Sequence, residues 1–243
     1  MKALLRWVML LLLAGLGLQL FFVARIALMA VVNPASTAFE RSEAWRIVQT
    51  KGRLPWRQQW VDYAQISDHL KRAVITSEDD GFANHDGVDW DALEKAWQKN
   101  ARAEAQAARK AAQGARVVQP PKIVGGSTIT QQLAKNLLLS GERTLLRKGQ
   151  EFVLTFLLER LLDKRRILEI YLNHVEWGEG VFGAEAAARH YFGKPAARLT
   201  PYEAARLAVM LPRPRYFERL PNSSYLAERS AVIANRLYGV QLP

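Results

Sequence analysis

Residues 125–139 read GGSTITQQLAKNLLL, and the fold turns on how this run is read. Two glycines and a Ser-Thr pair break regular structure and supply a cap, so a helix is expected to start at Ser127 or Thr128. From there Ile129, Leu133 and Leu137 recur at helical spacing and define one buried face. Gln131 with Lys135, and Gln132 with Asn136, fall four apart and form polar stripes on the same helix. The same signature recurs along the chain. Ser67 can cap DHLKRAVITSE, with Gly81 as its stop, and Asp89 can cap a helix carrying Trp90, Leu93 and Trp97. Asp163 can cap KRRILEIYLN, Gly193 can end AEAAARHYFG, and a final helix should close at Gly239. Thr200, Pro201 and Glu203 form a capping box with a sharp start. RTLLRKGQEFVLTFLLERLL is nearly all apolar after Glu151, which predicts a buried helix. GARVVQPPKIVGG should break regular structure. No run alternates as a strand and nothing repeats, so the fold class expected is all-α, with one domain over 55–243.

The N-terminus stands apart. From Trp7 to Ala24 the chain carries no charge, and after Arg25 the apolar run resumes as IALMAVV. This exceeds the ~7–15 apolar residues of a cleaved signal, and no A-x-A site follows, so an uncleaved anchor over 7–32 is expected. Lys2 and Arg6 precede it without acids, which places residues 1–6 in the cytoplasm and the remainder outside. Residues 33–54 read as a juxtamembrane linker. The chain of 243 residues is 49% hydrophobic, so it can bury a sizeable core beyond the anchor. It has no cysteine, which excludes disulfides and thiolate metal sites. Its net charge of +11 suggests a polyanionic partner.

Three features point to chemistry. SEDDGFANHDG, residues 77–87, puts three acids in a row at a predicted helix end. The helix dipole and the charges of Asp79 and Asp80 should raise the pKa of Glu78 toward the range of a general acid or base; alone, the run also reads as a solvated acidic turn. Glu151 enters an apolar helix with Arg147 and Lys148 one turn before it, as either a structural ion pair or a site residue. Lys135, Arg143, Arg147 and Lys148 cluster with Gln131, Gln132 and Asn136, a donor set suited to a diphosphate but also to a solvated basic face. The backbone N–H groups at Ser127 and Thr128 add to it.

In order and spacing, EDDGFANHDG, GGSTITQQLAKN, RKGQE and KRRILEIYLN resemble the successive motifs of the peptidoglycan glycosyltransferases, and GEGVFGAEAAARHYFGK resembles a fifth conserved region. The resemblance covers roughly residues 55–215. It implies a lysozyme-like α-helical domain with a membrane-associated jaw. It implies polymerisation of lipid II onto a nascent glycan strand, by inverting β-1,4 transfer with release of undecaprenyl diphosphate. Glu78 would be the general base and Glu151 would orient or stabilise the donor sugar or its leaving group. Lys135 and Arg143 would bind the donor diphosphate, with Arg147, Lys148, Gln131, Gln132, Asn136, Ser127 and Thr128 around it. No tightly bound cofactor is expected; some members use Mg²⁺ or Mn²⁺, which Asp79 would help to hold. Membrane phospholipid and other cell-wall synthesis or division proteins are further partners, nucleic acid is not, and the setting implied is a bacterial inner membrane with a periplasmic domain. Competing readings are a lysozyme-like muramidase and a non-enzymatic scaffold of wall synthesis. The Ala-, Lys- and Arg-rich run 92–118 fits a solvated helix that touches anionic lipid.

Overall fold

A computed structural model of the chain describes residues 1–112, 125–139, 141–142 and 144–243. Arg143 and most of the GARVVQPPKIVGG break therefore lie outside the described residues, as does the end of the 92–118 run. Eleven α-helices occur among the described residues. They are α1 (Lys2–Leu28), α2 (Ala38–Lys51), α3 (Asp68–Glu78), α4 (Trp90–Ala112), α5 (Ile129–Leu138) and α6 (Leu145–Leu161). They continue as α7 (Lys164–His174), α8 (Ala184–Phe192), α9 (Pro201–Met210), α10 (Pro214–Arg219) and α11 (Ser224–Arg236).

The core follows the apolar spacing. α5 buries Ile129, Leu133 and Leu137 against α6 and α7, and α3 buries Leu70, Ala73 and Val74 against α9 and α11. The caps hold the helices where the sequence placed them. Ser67, Asp163 and Thr200 accept bonds from the first turns of α3, α7 and α9, and Gly193 closes α8 in a left-handed conformation. α3 ends at Glu78, short of Gly81, because the Asp79 N–H closes back on Ile75 and the chain then turns.

Three expectations are corrected. First, three short strands exist: β1 (Arg57–Gln58), β2 (Glu176–Gly178) and β3 (Val181–Phe182), in the order β1-β3-β2, with β1/β3 parallel and β2/β3 antiparallel. Runs of two or three residues cannot show alternation. The turn between β2 and β3 needs Gly180, whose φ is +76° and where a Cβ would meet the Pro55 carbonyl oxygen at 2.0 Å.

Second, residues 33–54 are not a bare linker. Thr37 and Glu40 close a capping box at the start of α2, which buries Glu40 and Ile47 and packs against α5. Glu40 lies 2.7 Å from Nδ1 of buried His174, and Gln58 donates to Glu40 at 2.8 Å.

Third, α6 is not wholly buried. Glu151, Leu154, Thr155 and Leu158 face inward, while Leu145, Leu146, Val153 and Phe156 are exposed. α1 lies along this helix, and Gln19 and Gln150 exchange amide hydrogen bonds at 2.9 and 3.1 Å. The window of α1 that is long and apolar enough to cross a bilayer is almost wholly uncovered by protein. Trp90 and Trp97 of α4 are likewise exposed, Trp90 stacking on Phe152 of α6 at 6.4 Å.

Candidate active site

The C-terminal end of α3 delivers Glu78 to the middle of a cleft. Gln132 of α5 donates to its Oε2 at 2.9 Å, and Tyr171 of α7 donates to the Gln132 carbonyl at 3.0 Å. The Tyr171 contact fixes which way the amide points, so its NH₂ must face the carboxylate. The other oxygen of Glu78, Oε1, is buried with no partner among the described residues. A carboxylate half-satisfied in this way favours its protonated form. Burial pushes the Glu78 pKa up, and the Asp79 charge adds to this, while the Gln132 bond works against both. The direction agrees with the sequence reading, but the leading cause does not. Asp80 turns away to pair with Arg236 of α11 at 2.9 Å.

Asp79 fastens the acidic turn to α5. It receives the Ile129 N–H at 3.0 Å on one oxygen and the His85 ring at 2.8 Å on the other. Gly87 N–H donates to the second nitrogen of that ring. Gly87 itself sits at φ +88° with no room for a Cβ against Thr155 and Glu159. Its carbonyl accepts from the Thr128 hydroxyl at 2.6 Å. Both carboxylate oxygens of Asp79 are thus occupied inside a buried brace, and among the described residues no three His, Asp or Glu side chains gather as metal ligands. Asp79 also lines the second chamber, and each of its oxygens keeps a lone pair beyond these bonds.

Two chambers meet at the Glu78–Gln132 pair. The first, of 610 Å³, is walled by Gln132, Lys135 and Asn136 of α5, by Arg147, and by Phe39, Arg41 and Ser42 of α2. The second, of 430 Å³, is walled by Glu78, Asp80 and Asp89, by Ser127 and Thr128, by Lys95 and Lys99 of α4, and by Arg236. Three expected site residues, Gln131, Glu151 and Lys148, lie off both walls. Gln131 is buried and bonds back to the Thr128 N–H in the capping box of α5, and Thr128 completes that box. Glu151 is 3% exposed and ion-paired with Arg147 at 3.0 Å and with Lys148. It stands behind Arg147 rather than on the wall of either chamber, and Lys148 leans over Phe152.

Sequence reasoning missed Tyr171 and Arg41. Tyr171 is fully buried in an apolar face, which also drives its pKa well up, and a phenol there needs a polar partner. Arg41 was hidden in the supposed linker, although the Thr37-x-x-Glu40 box marks a helix start.

Comparison with known proteins fits this geometry. The transglycosylase family model matches residues 46–238. A biosynthetic peptidoglycan transglycosylase of Burkholderia thailandensis is 53% identical over 230 residues, covering 95% of this chain and 84% of that protein. A second, from Burkholderia orbicola, is 54% identical over the same length, covering 95% and 87%. A third, from Burkholderia vietnamiensis, is 50% identical. The all-α architecture described above is the lysozyme-like one of these enzymes. With the family motifs folded around one cleft, and relatives matched over nearly its full length, the chain belongs to the transglycosylase family of peptidoglycan glycosyltransferases.

Proposed function

We propose that the enzyme polymerises lipid II, with Glu78 as general base at the junction of the two chambers. The observation that carries this is the Glu78 carboxylate itself: buried, oriented through one oxygen by Gln132 and Tyr171, and unpaired at the other among the described residues. The acceptor GlcNAc 4-hydroxyl would lie in the second chamber and give its proton to Glu78 as its oxygen bonds to the donor anomeric carbon. The bond from that carbon to the lipid diphosphate breaks on the opposite face. The leaving group takes the electron pair into the first chamber and the configuration inverts.

A diphosphate leaves as a stable anion and needs positive charge rather than a proton. Lys135, Arg147 and Arg41 supply it from the first chamber, with Asn136 as a neutral donor, and Arg143 belongs with them by its motif. Glu151 acts through Arg147 and Lys148 as a positioning residue. Ser127 lines the acceptor side.

α1 would cross the inner membrane once, residues 1–6 in the cytoplasm, with 7–32 as anchor and the domain periplasmic. The exposed apolar residues of α6 and the tryptophans of α4 would form the membrane-associated jaw. The test is incubation of the purified protein and its Glu78→Gln variant with lipid II, with and without EDTA, followed by separation of products. Polymer from the parent alone supports this reading. Fragments released from finished glycan would mark a muramidase, and normal polymer from the variant would remove Glu78 from the chemistry.

A further inference from the structure

A third cavity, of 330 Å³, lies where α1 hands over to α2. Its polar wall is Arg25, Asn33, Ser36 and Arg41, and its apolar wall includes Leu28 and Val32. Among the described residues no acid lines it, and Arg41 bonds only to Ser36, through Nη1, at 3.0 Å to the hydroxyl and 3.2 Å to the carbonyl. Arg25 has no ion pair or hydrogen bond among the described residues, and the two arginines line one cavity. Two like charges beside an apolar helix are unfavourable unless a counter-anion joins them.

The cavity is a built one. Arg166 of α7 donates to the Met29 carbonyl at 2.8 Å and to the Asn33 side chain at 2.7 Å. His174 holds the Pro34 carbonyl at 3.1 Å and Glu40 at 2.7 Å. The Gln19–Gln150 pair fixes α1 from the other side. The location is chemically specific too. Arg25 interrupts the apolar run near the outer end of α1, from where its guanidinium can snorkel to the level of lipid phosphates. Arg41 lines both this cavity and the first chamber of the active site.

We propose that Arg25 and Arg41, with Ser36 and Asn33, bind the anionic phosphate of a membrane lipid at a site separate from the donor diphosphate site and adjoining it. The shared chemistry is a phosphate at the bilayer surface. Its source is either an anionic phospholipid or the diphosphate of a polyprenyl carrier waiting beside the cleft. The binding itself goes beyond the polymerisation reading and does not rest on it.

The experiment uses the full chain in detergent, titrated separately with phosphatidylglycerol and with undecaprenyl diphosphate, with phosphatidylcholine as the net-neutral reference. Binding is read as the shift in melting temperature with lipid concentration. Arg41→Gln and Arg25→Gln should each raise the apparent Kd about tenfold, the scale of a lost charge-assisted contact. Arg229→Gln, an exposed cation on α11, removes the same charge and should change it less than about twofold. Arg41→Lys should recover part of the loss, which separates the site from any effect on folding. A loss for both anionic lipids supports a general phosphate site. A loss confined to one of them in both Gln variants supports the site and names its source, whereas a loss for undecaprenyl diphosphate in Arg41→Gln alone reports the donor chamber and overturns the proposal. Unchanged Kd in both Gln variants, or an equal change in Arg229→Gln, overturns the proposal. Because no turnover is measured, a protein inactive on lipid II would still report on this site.

Discussion

The two chambers beside Glu78 are built from different kinds of structure. The walls of the first come from helices locked by buried polar contacts: α2 by its capping box and the Glu40–His174 pair, α5 by its own box and Asp79, and Arg147 by Glu151. Two of the second chamber's cations, the exposed Lys95 and Lys99, come from α4, whose tryptophans lie uncovered, and Arg236 of α11 is paired with Asp80. A site that must stabilise charge developing on a leaving group gains from groups already in place. A site that admits a fresh acceptor after each transfer needs access more than rigidity. On the proposed mechanism, electrostatic work falls to the first chamber and passage to the second.

The largest effect should come from Glu78, which lines the second chamber and is bonded to Gln132 on the wall of the first. Glu78→Gln should lower polymerisation about 10²- to 10⁴-fold, the usual weight of a general base. Its stability should move the other way. The folded-state pKa of Glu78 is raised, so the folded protein loses stability as pH rises from the unfolded pKa through the folded one. The Gln variant escapes this loss, and its melting temperature at pH 7 should equal or exceed the parent's. A clear fall would show that Glu78 supports the fold.

Next come the cations carried by the locked helices. Lys135→Ala should reduce kcat/KM about 10- to 100-fold, whereas Lys99→Ala should cost less than about threefold. Equal effects would erase the distinction between the chambers. Glu151→Gln leaves two cations without their partner. Discounted for the exposure of Lys148, it should destabilise the fold by about 2–3 kcal/mol in a denaturant titration and lower kcat with it.

The smallest effect belongs to the brace. Tyr171→Phe should lower kcat about three- to tenfold by freeing the Gln132 amide. The Gln132 bond holds the Glu78 pKa down, so loosening it should move the acid limb of the pH–rate profile to higher pH. An unmoved limb would leave Tyr171 with packing alone.

What could be read from the sequence was local. Ser67, Asp163, Thr200 and Gly193 declare helix ends by short-range chemistry, and each does so here. The same rule was available for Thr37-x-x-Glu40 and Thr128-x-x-Gln131, where it would have revealed α2 and withdrawn Gln131 from the site. Nonlocal facts were out of reach. Burial of Glu78 depends on helices 50 and more residues away, and so does its pairing with Gln132 and Tyr171. The apolar face of α6 misled because apolar residues were assigned to a protein core, when α1 and the surface beside it offer another apolar environment.

The Gln19–Gln150 pair has a consequence for where the enzyme works. Gln19 lies six residues below Arg25, roughly 9 Å along a helix, and Gln150 precedes Glu151. With α1 as the proposed anchor, the pair makes it a ruler as well as a tether, setting the height of the cleft against the bilayer. A membrane of different hydrophobic thickness must tilt α1, and the docked domain tilts with it. Catalysis would then depend on acyl-chain length even where headgroup charge is held constant.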